Sequence, residues 1–234
     1  MNRDVPIRSL SRIAVLTLAA LGSSWAPAQS FCSSDGQPRP VALLERFISA
    51  DCESCWAESG PKPQAGELAL DWIVPGSRGD DAPLSAAANR DARERLAALQ
   101  RTAPVAAEVL RRRAEAPVRG LRVSHGLPFN GYLGTSIEWK PPRPGRWSAW
   151  LLLVETIPAG AEGTPIERNP VRNVLESLWD GSGQLSKEEQ ARLFEFRPMS
   201  IPPGARPERL RVVGWLEDGR GRIRAIAQSR CRHR

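Results

Sequence analysis

The chain has 234 residues and carries a net charge of +7 from 33 basic and 26 acidic side chains. That length accommodates one domain or two small ones. Only Lys62, Lys140 and Lys187 of the basic residues are lysine, acids are interleaved throughout, and aromatics do not alternate with the basics as stacking platforms would, which argues against nucleic-acid binding and leaves only weak attraction to anionic surfaces.

The first stretch reads as an export signal over residues 1–28. Arg3, Arg8 and Arg12 give a basic start, Ile13 to Leu21 is a short apolar segment, and Ala26-Pro27-Ala28 supplies a small-x-small cleavage pattern. The apolar segment falls short of the roughly 20 residues that span a bilayer, and no later segment is a candidate span. The expected mature protein is periplasmic or secreted, beginning near Gln29. Export places Cys32, Cys52, Cys55 and Cys231 where disulfides persist. Four cysteines allow three pairings. Cys52 with Cys55 is the local choice, which leaves Cys32 and Cys231 near the two ends as the second pair.

Val41–Ile48 is a continuous apolar run and reads as a buried strand; Leu68–Val74 reads as a second, ended by Pro75-Gly76. Leu84–Gln100 and then about Pro104–Ala114 read as helices, the latter with proline in its first turn. After Pro117 the period becomes strand-like. Leu121 and Val123, then Leu133, Thr135, Ile137 and Trp139, alternate with polar or small neighbours. Further strands are expected over 147–157, 171–179, 191–196, 210–216 and 223–227, the last two joined by a hairpin at Asp218-Gly219-Arg220-Gly221. Such short alternating strands predict an antiparallel β domain of sandwich type over about 118–230, following a unit over about 38–115.

Chemistry concentrates at Asp51-Cys52-Glu53-Ser54-Cys55-Trp56, directly after the first strand. A C-x-x-C at the start of a helix favours the thiolate of the first cysteine, Cys52, and puts the second, Cys55, within reach to resolve a mixed disulfide. Asp51 and Glu53 oppose thiolate formation, and Gly60-Pro61 limits the helix to little more than a turn. A redox-active pair and a permanent bridge therefore both stand as readings. A zinc site built from all four cysteines lacks the paired C-x-x-C spacing of zinc ribbons. His125, on an expected strand beside Gly126, and His233 read as ordinary residues rather than ligands. No nucleophile elbow, H-E-x-x-H or strand-following G-x-G-x-x-G is present, and no residue set calls for a cofactor or a metal. The eight tryptophans, Trp139, Trp147 and Trp215 among them, read as core and sheet-face residues.

Val41-x-Leu43-x-x-Phe47-x-Ser49-x-x-Cys52-x-Ser54-Cys55 resembles the opening of a family of secreted bacterial thioredoxin-like proteins catalogued as a domain of unknown function. The likeness continues at Leu68-Ala69-Leu70, at Val171-Arg172-Asn173-Val174 and in the hairpin Val212–Ala227. The family's His-Val-Asp-Tyr-Trp-Asp stretch is replaced here by Asp71-Trp72-Ile73-Val74-Pro75, and its Thr-Pro-Gln segment has Thr102-Ala103-Pro104 as nearest counterpart. The resemblance implies an α+β protein, with a reduced thioredoxin-like α/β unit carrying Cys52 and Cys55 ahead of the β domain. It further implies a thiol–disulfide oxidoreductase in which Cys52 attacks and Cys55 resolves, with a thiol- or disulfide-bearing protein as partner. The alternative is a non-catalytic secreted binding or structural protein with a permanent Cys52–Cys55 disulfide.

Overall fold

The structure, a computed structural model, describes residues 32–140, 145–180 and 193–231. The expected signal and its cleavage site, and His233, lie outside them. The described residues form β1 (Cys32–Ser33), β2 (Ala42–Ser49), α1 (Glu53–Ala57), β3 (Glu67–Val74), α2 (Asp91–Ala98), β4 (Ala107–Arg113), β5 (Arg122–Phe129), β6 (Tyr132–Trp139), β7 (Arg146–Glu155), β8 (Val171–Asp180), β9 (Leu193–Ser200), β10 (Leu210–Asp218), β11 (Ile223–Gln228) and β12 (Arg230–Cys231). They make three sheets, ordered β12-β1-β5-β6-β9, β11-β10-β7-β8 and β3-β2-β4. No helix among the described residues is long and apolar enough to cross a membrane.

The four-stranded sheet is the middle layer. Ala149, Leu151 and Leu153 of β7 pack with Val123, Leu133, Ile137 and Trp139 of the five-stranded sheet. Their neighbours Trp150, Leu152 and Val154 pack with Leu43, Phe47, Leu70 and Trp72 of the three-stranded sheet. Strand side chains alternate between faces, so a strand buried on both must be apolar at every position. That is why Trp150 to Val154 runs apolar without interruption. On β10 a Cβ at Gly214 would stand 2.7 Å from Val123 and 3.1 Å from the Trp150 carbonyl. Glycine there lets the sandwich close, and Gly214→Ala would push the sheets apart.

The thioredoxin-like α/β unit expected over 38–115 is not what forms. Only β2 and β3 run parallel; β4 pairs antiparallel on the other side of β2. A helix-covered sheet needs long helices, and α1 has five residues, ending at an extended Glu58 before Gly60 with φ +46°. In place of helices, the middle β layer and the eight residues of α2 cover the inner face. The helix expected at 104–114 is strand β4, whose Leu43↔Arg112 and Glu45↔Leu110 register lets Leu110 reach the shared core. Pairing along β2 overrides the helical composition Ala-Glu-Val-Leu-Arg-Arg-Arg. The helix expected at 84–100 breaks into a 3₁₀ turn at Ser85–Ala87 and α2. The β-sandwich content expected after residue 118 matches the structure: β7, β8, β10 and β11 form within two residues of where expected, and β9 runs four residues past its expected end to Ser200; residues 191–192 are not among the described residues. The shared core takes Leu43 to Trp72 from one side of residue 115 and Trp150 to Ile226 from the other.

Candidate functional site

Cys52 and Cys55 are joined as a disulfide, and both are half-buried. Cys52 is the residue before α1 and no side chain caps that end. Asp51 turns away from it and accepts hydrogen bonds from the Ser77 amide (2.7 Å), the Ser77 hydroxyl (2.9 Å) and the Arg78 amide (3.3 Å). Desolvation pushes the Asp51 carboxyl up, but these bonds outweigh it and hold the pKa below the ordinary value. A Cβ at position 76 would fall 2.2 Å from the Asp51 carboxylate, so Gly76 is what permits the loop to wrap it. The result is an ionised carboxylate fixed one residue before Cys52, which disfavours a thiolate there.

The other end of α1 is fastened from inside. Arg168 is 1% exposed, and its Nη2 donates to the carbonyls of Cys55 (2.9 Å), Trp56 (2.9 Å) and Glu58 (2.8 Å). Its Nη1 pairs with Asp71 at 3.3 Å, and Asp71 pairs with Arg46 at 2.8 Å. The guanidinium lies 5.3 Å from the Trp56 ring. Arg46 and Asp71 share the outer face of the three-stranded sheet because they sit directly across from each other in the β2–β3 register. The last carbonyls of a helix are its negative end, and a buried cation is a strong partner for them. Cys55 and Trp56 pack on Ile48, Ala50 and Ile73. The C-x-x-C turn is thus bound to the sheet by charge and packing together.

A second constellation escapes a reading by motif. Cys32 and Cys231 form the other disulfide, joining β1 to β12 across 199 positions, as elimination among the four cysteines anticipated. His125 lies opposite Cys32 on the neighbouring strand and is 5% exposed. Burial lowers its pKa, only partly offset by the Gly126 carbonyl, so the ring is neutral at pH 7. Nδ1 lies 2.9 Å from that carbonyl and must hold the proton, which leaves Nε2 as an acceptor; Nε2 is buried and has no partner among the described residues. The Cys32 and Cys231 sulfurs come within 4.8 Å of the ring, but a closed disulfide offers no thiolate to a metal.

His125 and Cys231 border a cavity of about 690 Å³ that runs from the edge of β3 at Leu68 and Ala69 to the start of β10. Arg211 lines it too. Its Nη1 donates to the Thr156 hydroxyl and its Nη2 to Asn169 Oδ1 at 3.0 Å, while its buried Nε finds no acceptor. No carboxylate among the described residues lies within ion-pair distance of it. Burial, with Arg230 adding to it and Glu167 opposing, lowers its pKa to about 10. Asn169 ties this site to the rest: its amide N–H donates to Asp71 while its side chain receives Arg211. Sequence offered one signal for Arg211. It shares strand parity with the buried Val213 and Trp215, so a charge there faces inward.

Comparison of the chain with models of known protein families and with curated proteins gave no match.

Proposed function

We propose that this is an exported binding protein, released by cleavage near Ala28, in which Cys52–Cys55 is a permanent clip rather than a reagent. The observation that carries the reading is one of position. The cavity of about 690 Å³, within the usual range for small-ligand sites, borders on His125, Arg211 and Cys231 and on neither Cys52 nor Cys55. An oxidoreductase must receive its partner at the exchanging disulfide. Here that disulfide sits on a five-residue helix too short for a sustained dipole, beside the ionised Asp51, with its carbonyls taken by Arg168. The two closed disulfides suit an oxidising, extracytoplasmic compartment.

Two measurements on the mature protein test this. The Cys52–Cys55 potential is expected below about −300 mV, the region of structural disulfides. A Cys55→Ser variant is expected to trap no mixed disulfides. The competing oxidoreductase reading draws on the half-exposure of Cys52; a higher potential together with trapped partners would establish it and remove the clip.

A further inference from the structure

A separate pocket of about 510 Å³ opens where the chain leaves β4 and turns toward β5, between the start of β2 and the edge strand β11. Arg39, Arg113 and Arg119 line it, all three exposed, and no acidic side chain does. Arginines close by are matched: Arg111 pairs with Glu67, Arg112 with Glu217, Arg122 with Asp35 and Arg224 with Asp218. No carboxylate among the described residues lies within ion-pair distance of Arg39, Arg113 or Arg119. A cleft lined by one sign of charge on apolar walls concentrates its field and draws in the opposite ion. We infer that this pocket binds a small amphiphilic anion, with one acidic head group held by the three guanidinium groups and a compact alkyl or aromatic body on the apolar wall.

Backbone hydrogen bonds fix the walls. The Ala114 N–H donates to the Val41 carbonyl at 2.9 Å, and the Val41 N–H donates to that of Gly66 at 2.8 Å. On the other side the Glu115 and Val118 N–H groups donate to the Ile223 and Arg224 carbonyls at 2.9 and 2.7 Å. The Arg224 guanidinium donates back to the Ala116 carbonyl. The segment from β4 to β5 is thereby tied to both β2 and β11, so the pocket is formed before a ligand arrives and binding has little to order. Leu121 and Ile226, both core residues, bring apolar surface to it, and Val41 adds a side chain that is 41% exposed. That wall favours a ligand with apolar surface to remove from water over a bare inorganic anion. The arginines disfavour neutral and cationic amphiphiles. A guanidinium meets carboxylate and phosphate alike through paired N–H···O bonds, so either head satisfies the site. The pocket shares no lining residue with the cavity at Arg211, and the inference goes beyond the binding role read there.

The test uses the mature protein labelled with ¹⁵N, titrated below micelle concentrations with decanoate and with decyl phosphate. Controls are decanol, decyltrimethylammonium, acetate and inorganic phosphate. At least one of the two amphiphilic anions is expected to bind saturably and to shift the amide signals of Arg113, Ala114, Val118 and Ala225. The tighter of the two identifies the preferred head group. Each control should bind at least about tenfold more weakly, having lost either the charged contacts or the buried body. An Arg39→Gln/Arg113→Gln/Arg119→Gln variant should weaken anion binding about tenfold or more while its unfolding midpoint in urea stays at that of the parent, because all three side chains are exposed. Val41→Asp, which sets a negative charge on the apolar wall, should weaken it similarly. The inference is overturned if neither anion saturates, if decanol or inorganic phosphate binds as tightly, or if the triple variant binds like the parent. Shifts confined to Arg211 and Gln228 would overturn it as well, by moving the ligand to the other cavity. Binding seen only on vesicles of anionic lipid would replace the pocket with a membrane-facing surface. The binding-protein reading is tested separately, by whether Cys55→Ser traps partners.

Discussion

Arg95 is fully buried and Arg211 half-buried, and the two arginines are treated in opposite ways. The Arg95 guanidinium lies against the stacked pair Trp150 and Trp215, 4.6 and 4.9 Å from their centroids. It donates to both oxygens of Glu45 at 2.9 and 3.1 Å and to Glu217 at 3.1 Å, and Arg112 closes the cluster on Glu217 at 2.7 Å. Burial opposes its charge, but the two glutamates more than restore it and raise its pKa. Arg211 has two neutral acceptors, an idle Nε and a lowered pKa. An arginine whose charge is answered inside the fold is architecture. One without an ion-pair partner beside a cavity is a candidate site. The means of support differ as well: ions hold the region around Arg95, whereas a covalent bond, Cys32–Cys231, holds the cavity wall at His125.

The largest effect expected from perturbing this contrast falls on that covalent wall. A Cys32→Ser/Cys231→Ser variant should lose about 5 kcal/mol in urea unfolding, because the bond closes a loop of nearly the whole described chain. A loss under about 2 kcal/mol would mean that the cavity wall is held by pairing alone. Next comes the ionic region. Arg95→Ala leaves the fully buried Glu45 with only Arg112 at 3.8 Å, while Glu217 keeps Arg112 at 2.7 Å, and should cost about 3–5 kcal/mol by the same measurement. A cost near zero would show water reaching that cluster, and the distinction between the two arginines would weaken from the Arg95 side.

How far the sequence speaks differs between the same regions. The strands of the β-sandwich were legible because their burial repeats on a period of two, and in β7 because both faces are covered. The Cys32–Cys231 pairing was legible by elimination, since Cys52 and Cys55 are three apart. The likeness around Cys52 carried an expectation of helices that Gly60-Pro61 and the middle sheet displace. Strand β4 was hidden because its residues favour a helix locally, and its partner β2 lies some sixty positions away. Glu45 and Asp71 stood inside apolar runs as charges on buried strands, a sign of internal ion pairing. Their partners, Arg95 and Arg168, are remote in sequence, so the sign had no address. The cavity was the least legible part, because it depends on the β3 edge, the segment before β8 and the chain end converging.

Smaller effects sharpen the comparison. The Cys52→Ser/Cys55→Ser variant should lose less than about 2 kcal/mol, since a bridge between residues three apart constrains the unfolded chain only slightly. Arg168 should keep the turn in place through the Cys55, Trp56 and Glu58 carbonyls. Amide exchange over residues 52–58 measures this directly. Protection retained in the double variant assigns the turn to Arg168, and protection lost assigns it to the disulfide.

The smallest change in stability, and the most telling, is expected for Arg211→Met. Methionine fills much of the volume of the arginine stem and removes a charge that no carboxylate among the described residues answers. Replacing a buried ionic group by an apolar one of similar size is often neutral or stabilising. Two hydrogen bonds, to Thr156 and Asn169, are lost in return, and each is worth about 1 kcal/mol net. The relief of a half-buried charge without an ion-pair partner should offset them, so unfolding free energy is expected to stay within about 1 kcal/mol of the parent. Arg95→Met, with the same change of side chain, should instead fall by several kcal/mol, since it takes from the buried Glu45 its close cation. If Arg211→Met falls as far as Arg95→Met, then Arg211 is answered inside the fold after all, and no open charge remains for a ligand to meet.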